Sequence, residues 1–290
     1  MELNWLKQFQ VAAKYENLTK AAEELFISQP ALSKTIRNLE KEFNAPLFDH
    51  VGKHIVLNEN GKTVLKYSMN IFTELDNLSR EIDEKNQRAD RTITLSVLAA
   101  SQLLPDLLGS FRKKDNTVSF QIHHSKGDAS DYDLSLMADA TPINNNHTIT
   151  LIKEEILVAV PEDATYISAS EDSVSLASLA GHPFISLEAG MGLTTVMNRY
   201  CSEAGFEPNV VLRSDNPATL RSMISLGLGI AFVPSMTWSG SLRGVRLLHI
   251  RDLECARYLI LTWPENRYLS PAAEELKKFI ITFFKTSFLP

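Results

Sequence analysis

Apolar positions in the first 57 residues recur at helical spacing in three short runs. These are Leu6, Phe9 and Ala13, then Ala21, Ala22 and Leu25, then Leu32, Ile36, Leu39 and Phe43. The last run steps by 4, 3 and 4, which keeps one side of a helix apolar. Thr19 is placed to cap the second helix. Ser28 is placed to cap the third, with Pro30 in a first turn where a missing N–H costs nothing. Only Phe26 and Ile27 precede the Ser28 cap, so the second and third helices form a helix-turn-helix. Leu47-Phe48 and Ile55-Val56-Leu57 then flank a polar stretch and predict a small hairpin turning at Gly52, a wing.

From Asn58 to Arg88 the spacing predicts one long helix whose apolar stripe is Val64, Tyr67, Ile71, Leu75, Leu78 and Ile82. Its other face is polar and charged, so the stripe needs a partner. A second copy of the helix is the economical one, and packing on the chain's own C-terminal domain is the alternative. After Thr92 strand and helix patterns alternate. Strands are expected at Thr92–Leu98, Val118–His123, Asp133–Met137, Glu155–Val160, Pro183–Leu187, Asn209–Arg213, Ile230–Val233 and Arg257–Trp263. Helices are expected at Gln102–Arg112, Thr194–Ala204, Ala218–Leu226 and Pro271–Lys285, with a helical turn at Leu176–Leu179. That alternation predicts an α/β domain of parallel strands with crossover helices.

The 290 residues suit about two domains, and 44% apolar with 22% charged content is that of a globular chain. No apolar run approaches the ~18 residues of a membrane span, and Met-Glu-Leu-Asn-Trp is not a secretory signal. Cys201 and Cys255 make neither a disulfide framework nor a zinc cluster, so no metal or cofactor is expected and the expected compartment is the cytoplasm. The net charge of -6 disfavours indiscriminate binding of polyanions but is silent on a local basic surface.

Gln29, Ser33 and Arg37 step by four along the third helix, opposite its apolar stripe, with Lys34 and Lys41 beside them. Amide, hydroxyl and guanidinium groups at the start of a helix suit base edges and phosphates, and Ser28 at the helix N-terminus suits a phosphate. A solvated helix face carries the same residue types. Residues 1–60 hold seven Lys or Arg against eight Asp or Glu, a weak balance for DNA binding.

The run Phe9 to Phe48 contains Ala-Ala-Glu-Glu-Leu-Phe-Ile-Ser-Gln-Pro-Ala-Leu-Ser-Lys-Thr-Ile-Arg-Asn-Leu-Glu and then Pro-Leu-Phe. It closely resembles the winged helix-turn-helix of LysR-type transcriptional regulators. Ser175 to Phe184, Gly205-Phe-Glu-Pro and Gly227-Leu-Gly-Ile-Ala-Phe-Val-Pro carry the resemblance through most of the chain. It implies a winged helix-turn-helix over 1–58, a linker and dimerisation helix over 59–90, and an effector-binding domain over 91–290. That last domain is of periplasmic-binding-protein type, with one subdomain at 91–158 and 264–290 and the other at 159–263. The resemblance further implies double-stranded DNA as partner, with Gln29, Pro30, Ser33, Lys34 and Arg37 facing it; by position, Ser28 at the helix start and Lys53 on the wing, with His50 and His54, join them. It also implies a homodimer or tetramer, RNA polymerase as a partner if the protein activates, and no membrane.

Two departures stand out. Asp49 and His50 occupy positions after Leu-Phe where such regulators usually carry arginine. Only Ser125 to Asp131 lie between His124 and the strand at Asp133, too few for the helix usual there.

Three helix starts, at Ser101-Gln102, after Gly190-Met191-Gly192 and at Asn216-Pro217, could aim N–H groups into the cleft between subdomains, which favours an anionic effector. By position in the resemblance the effector-binding candidates are Ala100, Ser101, Gln102, Ser186, Leu187, Met191, Phe232 and Val233; alternatively, Ser101 and Asn216 serve only as caps. An enzyme would need a catalytic constellation that is not visible. Gly227-Leu-Gly lacks the rest of a dinucleotide motif, adjacent His123 and His124 on a strand point to opposite faces, and Cys201 reads as core packing. The remaining competitor is a small-molecule-sensing module that dimerises through its N-terminal region without sequence-specific DNA binding.

Overall fold

The structure is a computed structural model that describes residues 2–51, 54–86, 91–124, 131–238, 242 and 244–288, the side chains of His50, Val51 and His54 excepted. The chain divides into two compact units. One is Met1–Ala89 with Asn266–Tyr268, and the other is Asp90–Glu265 with Leu269–Pro290.

The first unit holds α1 (Leu3–Tyr15), α2 (Leu18–Glu24), α3 (Gln29–Phe43), β1 (Phe48–Val51), β2 (His54–Leu57) and α4 (Glu59–Lys85). Leu6, Phe9 and Ala12 of α1, Ala21 and Ala22 of α2, and Leu32, Ile36 and Leu39 of α3 close one core with Leu47, Phe48 and Ile55 from the wing. Ala12 rather than Ala13 turns inward. Phe43 is exposed because α3 ends there, with Asn44 in the left-handed region at φ 49. The cap of α2 is Asn17, not Thr19. Its side-chain oxygen accepts from the N–H groups of Thr19 and Lys20 at 3.0 and 3.1 Å, and a carboxamide is the better cap. β1 and β2 pair antiparallel with Phe48 opposite Leu57. The expected turn at Gly52 lies outside the described residues.

In the second unit β3 (Thr92–Val97) lies between β4 (Ser119–His123) and β5 (Leu134–Asp139), parallel to both. β12 (Ala256–Thr262) then joins β5 antiparallel to β6 (Thr148–Pro161), so the sheet is mixed rather than purely parallel. β6 runs 14 residues, far beyond the expected Glu155–Val160. Its first half, through Glu155, pairs with β12. From Ile156 it pairs with β10 (Ala231–Pro234) and β11 (Val245–Ile250), which extends to β7 (Ser173–Val174). One strand therefore serves two sheets and two cores, with Leu151 and Ile152 in one and Ile156, Val158 and Val160 in the other. The expected subdomain edge at 263/264 falls after β12, which its pairing puts in the first sheet. β7 and β11 were not expected, because neither carries a long apolar alternation.

The first sheet packs on α5 (Leu104–Arg112) and α8 (Pro271–Phe288) through Leu107, Phe111, Leu276, Ile280 and Phe284. The second core holds β8 (Pro183–Leu187), β9 (Asn209–Ser214), α6 (Gly192–Glu203) and α7 (Pro217–Ser225). A Cβ added at Gly192 would lie 2.2 Å from the Ala138 carbonyl, so this glycine lets α6 begin against the end of β5. The segment Ser125–Asp131, where a helix seemed missing, falls outside the described residues except for Asp131.

Candidate functional site

In the first unit Ser28 caps α3 with extended backbone, its Oγ accepting from the Ala31 N–H at 3.4 Å, and Pro30 occupies the first turn. The buried Leu32, Ile36 and Leu39 fix which side of α3 faces inward. Ser28, Gln29, Pro30, Lys34 and Arg37 stand exposed on the other side and Ser33 is half-buried among them, so these six residues form one surface. Arg37 lies along its own helix, with Nε–H donating to the Ser33 carbonyl at 3.3 Å. Lys53 lies outside the described residues.

The acidic balance of this unit looks different once side chains have positions. Glu16 accepts from the Leu57 N–H at 2.8 Å and Glu40 from the Leu47 N–H at 2.9 Å. These carboxylates hold the wing to the helices instead of opposing the basic side chains of α3. Asp49 on β1 accepts from the Asn58 side-chain amide at 3.4 Å, and Asn58 caps α4 by accepting from the Gly61 N–H at 2.9 Å. Asp49 is thus tied to a helix start, a pairing that a linear charge count does not reveal.

The face of α4 behaves unlike a core stripe. Val64 packs on the first unit's core with Leu65 and Phe72. Tyr67, Ile71, Leu75, Leu78 and Ile82 are exposed, Leu78 by 55%.

The second unit contains a cleft of about 760 Å³. One wall is Leu98 after β3, Ser101, the first turns of α5 and the end of β4 with Ile122 and His124. The other is Glu188 to Met191 before α6 and Asp215 to Arg221 at the start of α7. All three helix starts expected from the sequence border it, yet their N–H supply differs from the expectation. Asn216 is occupied as a cap, accepting from the Ala218 and Thr219 N–H groups at 2.8 and 3.4 Å, and α5 and α7 each carry a proline in the first turn, whereas α6 starts without a side-chain cap. Ala100 sits before the Ser101 turn with φ 57, a left-handed conformation uncommon for alanine.

Of the eight expected effector residues, Ser101 and Met191 line the cleft. Ala100 is buried behind Ser101. Ser186, Leu187, Phe232 and Val233 are core residues instead, because β8 and β10 are covered on both faces. Leu187 presents its carbonyl to the Thr194 hydroxyl at 2.7 Å, and Arg213 donates to Ser186 Oγ at 3.4 Å. Gln102 stands one shell behind the cleft. Oriented as its neighbours require, its amide nitrogen donates to the Thr237 carbonyl at 3.1 Å and its oxygen accepts from Arg221 Nε at 2.8 Å and Nη2 at 3.3 Å.

Arg221 is the residue that the sequence reading missed. Its guanidinium lies over the Trp238 ring, 5.1 Å from the centroid, and burial pushes its pKa down. Nη1 is shut off from solvent and has no hydrogen-bond acceptor. A guanidinium has five N–H donors in a fixed fork, and Arg221 leaves one of them without an acceptor while the residue borders the cleft. The available signal was its place four residues after Pro217, which sets both on one face of α7. Glu188, Asp215 and His124 also border the cleft. His124 uses Nδ1 against the Val97 carbonyl at 3.1 Å. Cys201 is buried in the second core, where loss of solvent pushes its thiol up to about 12. Among the described residues no helix is long and apolar enough to cross a membrane.

Residues 3–62 match the family described as "Bacterial regulatory helix-turn-helix protein, lysR family", and residues 86–285 match "LysR substrate binding domain". The chain is 32% identical over 293 residues to the uncharacterized HTH-type transcriptional regulator YybE of Bacillus subtilis, covering 98% of this chain and 99% of the relative. Among solved structures, full-length CbnR complexed with its target DNA shares the fold at a TM-score of 0.58 and 16% identity, over 97% of this chain and 99% of that one. The effector binding domain of QuiR in complex with shikimate does so at a TM-score of 0.56 and 22% identity, over 68% of this chain and 99% of that one. The chain therefore belongs to the LysR family of bacterial transcriptional regulators, with a DNA-binding helix-turn-helix followed by an effector-binding domain.

Proposed function

We propose that the protein reads an inverted repeat in duplex DNA, in the cytoplasm, as a dimer or a dimer of dimers paired through α4. The α3 surface of Ser28, Gln29, Pro30, Ser33, Lys34 and Arg37 would enter the major groove, and a small ligand carrying a carboxylate would occupy the cleft and alter DNA engagement. The observation that carries the DNA reading is the polar side of α3, held outward by the buried Leu32-Ile36-Leu39 stripe and started by the Ser28 cap. The exposed stripe from Tyr67 to Ile82 supports pairing with a second copy, since an amphipathic helix needs its apolar side covered. Two-fold symmetry in the protein then asks for two-fold symmetry in the operator.

Behind the cleft lining, Gln102 on the turn after β3 accepts from Arg221 on α7, so these hydrogen bonds join elements of the two walls. A carboxylate competing for Arg221 would loosen that cross-link and change how the walls meet. Family-typical coupling between ligand and DNA would be ~1–3 kcal/mol.

The test is enrichment of random duplex DNA by the purified chain at two salt concentrations. An inverted repeat with half-sites one helical turn or a multiple apart is expected, with affinity falling steeply as salt rises. On the enriched operator Arg37→Ala should cost ~1–3 kcal/mol. An unenriched pool would sink the α3 reading, and unchanged affinity in the variant would remove Arg37 from it.

A further inference from the structure

The cleft holds more charge than a plain anion site needs, and of both signs. Arg221 brings a cation whose Nη1 lacks an acceptor. Glu188 and Asp215 bring two carboxylates, both exposed within the same lining, and neither forms an ion pair with a described cation. A ligand that is only an anion gains Arg221 but meets two uncompensated carboxylates, and a ligand that is only a cation meets the reverse. Charge complementarity is satisfied by one molecule bearing both. Ser101, His124 and Asn216 add polar groups to the lining, and Leu98, Leu104 and Leu108 form an apolar stretch on one wall. At the starts of α5 and α7 the free N–H groups are few, because Asn216 and two first-turn prolines occupy them, whereas α6 starts without a side-chain cap.

We propose that the cleft takes a zwitterion of the α-amino-acid class, its carboxylate on Arg221, its ammonium facing Glu188 and Asp215, and an apolar side chain against the leucine wall. This deepens the effector-site reading above and rests on it. The guanidinium supplies the paired donors that a carboxylate accepts once it displaces the Gln102 oxygen from Nε and Nη2. An α-ammonium has three donors, enough to meet both acidic side chains at once. The Gln102 amide, which also holds the Thr237 carbonyl, fixes the guanidinium in place before a ligand arrives.

The probes are the proteinogenic L-amino acids and the matching L-2-hydroxy acids, which keep carboxylate and side chain but replace the ammonium by a hydroxyl. Each is titrated into the full-length chain by calorimetry, with thermal unfolding alongside. At least one apolar amino acid is expected to bind at least about tenfold more tightly than its hydroxy acid, the size of effect expected for a charge-assisted hydrogen bond. Arg221→Gln should abolish binding of both members of that pair. The double variant Glu188→Gln with Asp215→Asn should weaken the amino acid to the level of the hydroxy acid while leaving the hydroxy acid's affinity unchanged or improved. Both positions are exposed, and an unaltered unfolding midpoint without ligand shows that the variant has folded. Hydroxy acids that bind equally well or better, in an Arg221-dependent way, overturn the zwitterion and leave an anion effector site standing. Binding of neither class overturns both.

Discussion

The α3 surface and the cleft are built on opposite plans. The residues proposed to face DNA lie within ten consecutive positions, Ser28 to Arg37, on a helix that Ser28 caps and three buried side chains of its own hold. The cleft is assembled from four stretches, around Leu98 to Leu108, Ile122 to His124, Glu188 to Met191 and Asp215 to Arg221. Its walls meet only because β6 runs through both sheets and β12 returns the chain to the first. A local site survives strain elsewhere as long as its helix does, whereas an assembled site depends on the elements that hold its parts in register. The plan also suits the task, since a surface that reads a rigid duplex gains from being preformed. A sensing cleft gains from walls whose separation a ligand can change.

The largest expected effect attacks the assembled plan at its crossing point. Glu154 on β6 and Arg257 on β12 are register partners, both buried, with Oε1 2.7 Å from Nε. Thr237 completes the cluster. Its N–H donates to Glu154 Oε2 at 3.0 Å, and its hydroxyl accepts from Arg257 Nη2 at 2.7 Å. Glu154→Ala strips Arg257 of its carboxylate in a place water does not reach, which should cost ~3–5 kcal/mol. Two of the three tryptophans, Trp238 and Trp263, belong to the second unit, so intrinsic fluorescence in urea follows mainly that unit. A loss below about 1 kcal/mol would mean that Arg257 finds water or a new partner, and the crossing would not be the weak point of the cleft.

What a sequence makes legible follows the same division. The α3 surface was readable in full because cap, first-turn proline, apolar stripe and polar side all sit in one helical repeat, and periodicity reports such local arrangements. The cleft was readable only as helix starts. Ser101 and Met191 line the cleft because they adjoin such starts, while Phe232 and Val233 are buried in the core, since a short apolar strand reads alike whether it lines a cavity or fills a core. Arg221, Glu188 and His124 carry little local signal, since periodicity does not report the separate stretches of chain that meet around them. β6 was underestimated for a related reason: Thr148 to Glu154 alternates weakly, and its strand identity comes from pairing with β12. Asn17 took the cap from Thr19 through a two-residue shift that only backbone geometry settles.

A smaller effect sharpens the local plan by separating two duties of one side chain. Ser28 caps α3 and stands at the edge of the surface proposed to face DNA. Ser28→Ala should cost ~1 kcal/mol of stability in the first unit. Ser28→Asp should keep the cap and so the stability, yet weaken operator binding by placing a negative charge beside phosphate. Far-UV melting of the helical unit and operator titration read the two separately. Equal operator affinity for wild type and Ser28→Asp would leave Ser28 a cap alone.

The smallest expected effect concerns the second sheet, where His249 on β11 meets Glu155 on β6 with Nδ1 2.6 Å from Oε1. The hydrogen bond to Glu155 and then its charge raise the His249 pKa above the usual 6.5, with Asp172 adding to the rise and partial desolvation opposing it. A histidine raised on folding binds its proton more tightly in the native state. Its contribution is therefore complete below pH ~6.5 and fades as pH climbs through the raised value. Both side chains are about half exposed, at 58% and 46%, so water and salt screen the pair. The contribution should stay within the ~0–1 kcal/mol of a surface ion pair. His249→Gln should lower the unfolding midpoint at pH 6 and converge on wild type by about pH 9, and the gap at pH 6 should narrow in high salt. A gap that widens with rising pH would reverse the sign and assign His249 a role in its neutral form. Because this pair joins two strands of one sheet rather than the two walls of the cleft, the same variant should leave ligand affinity unchanged at either pH.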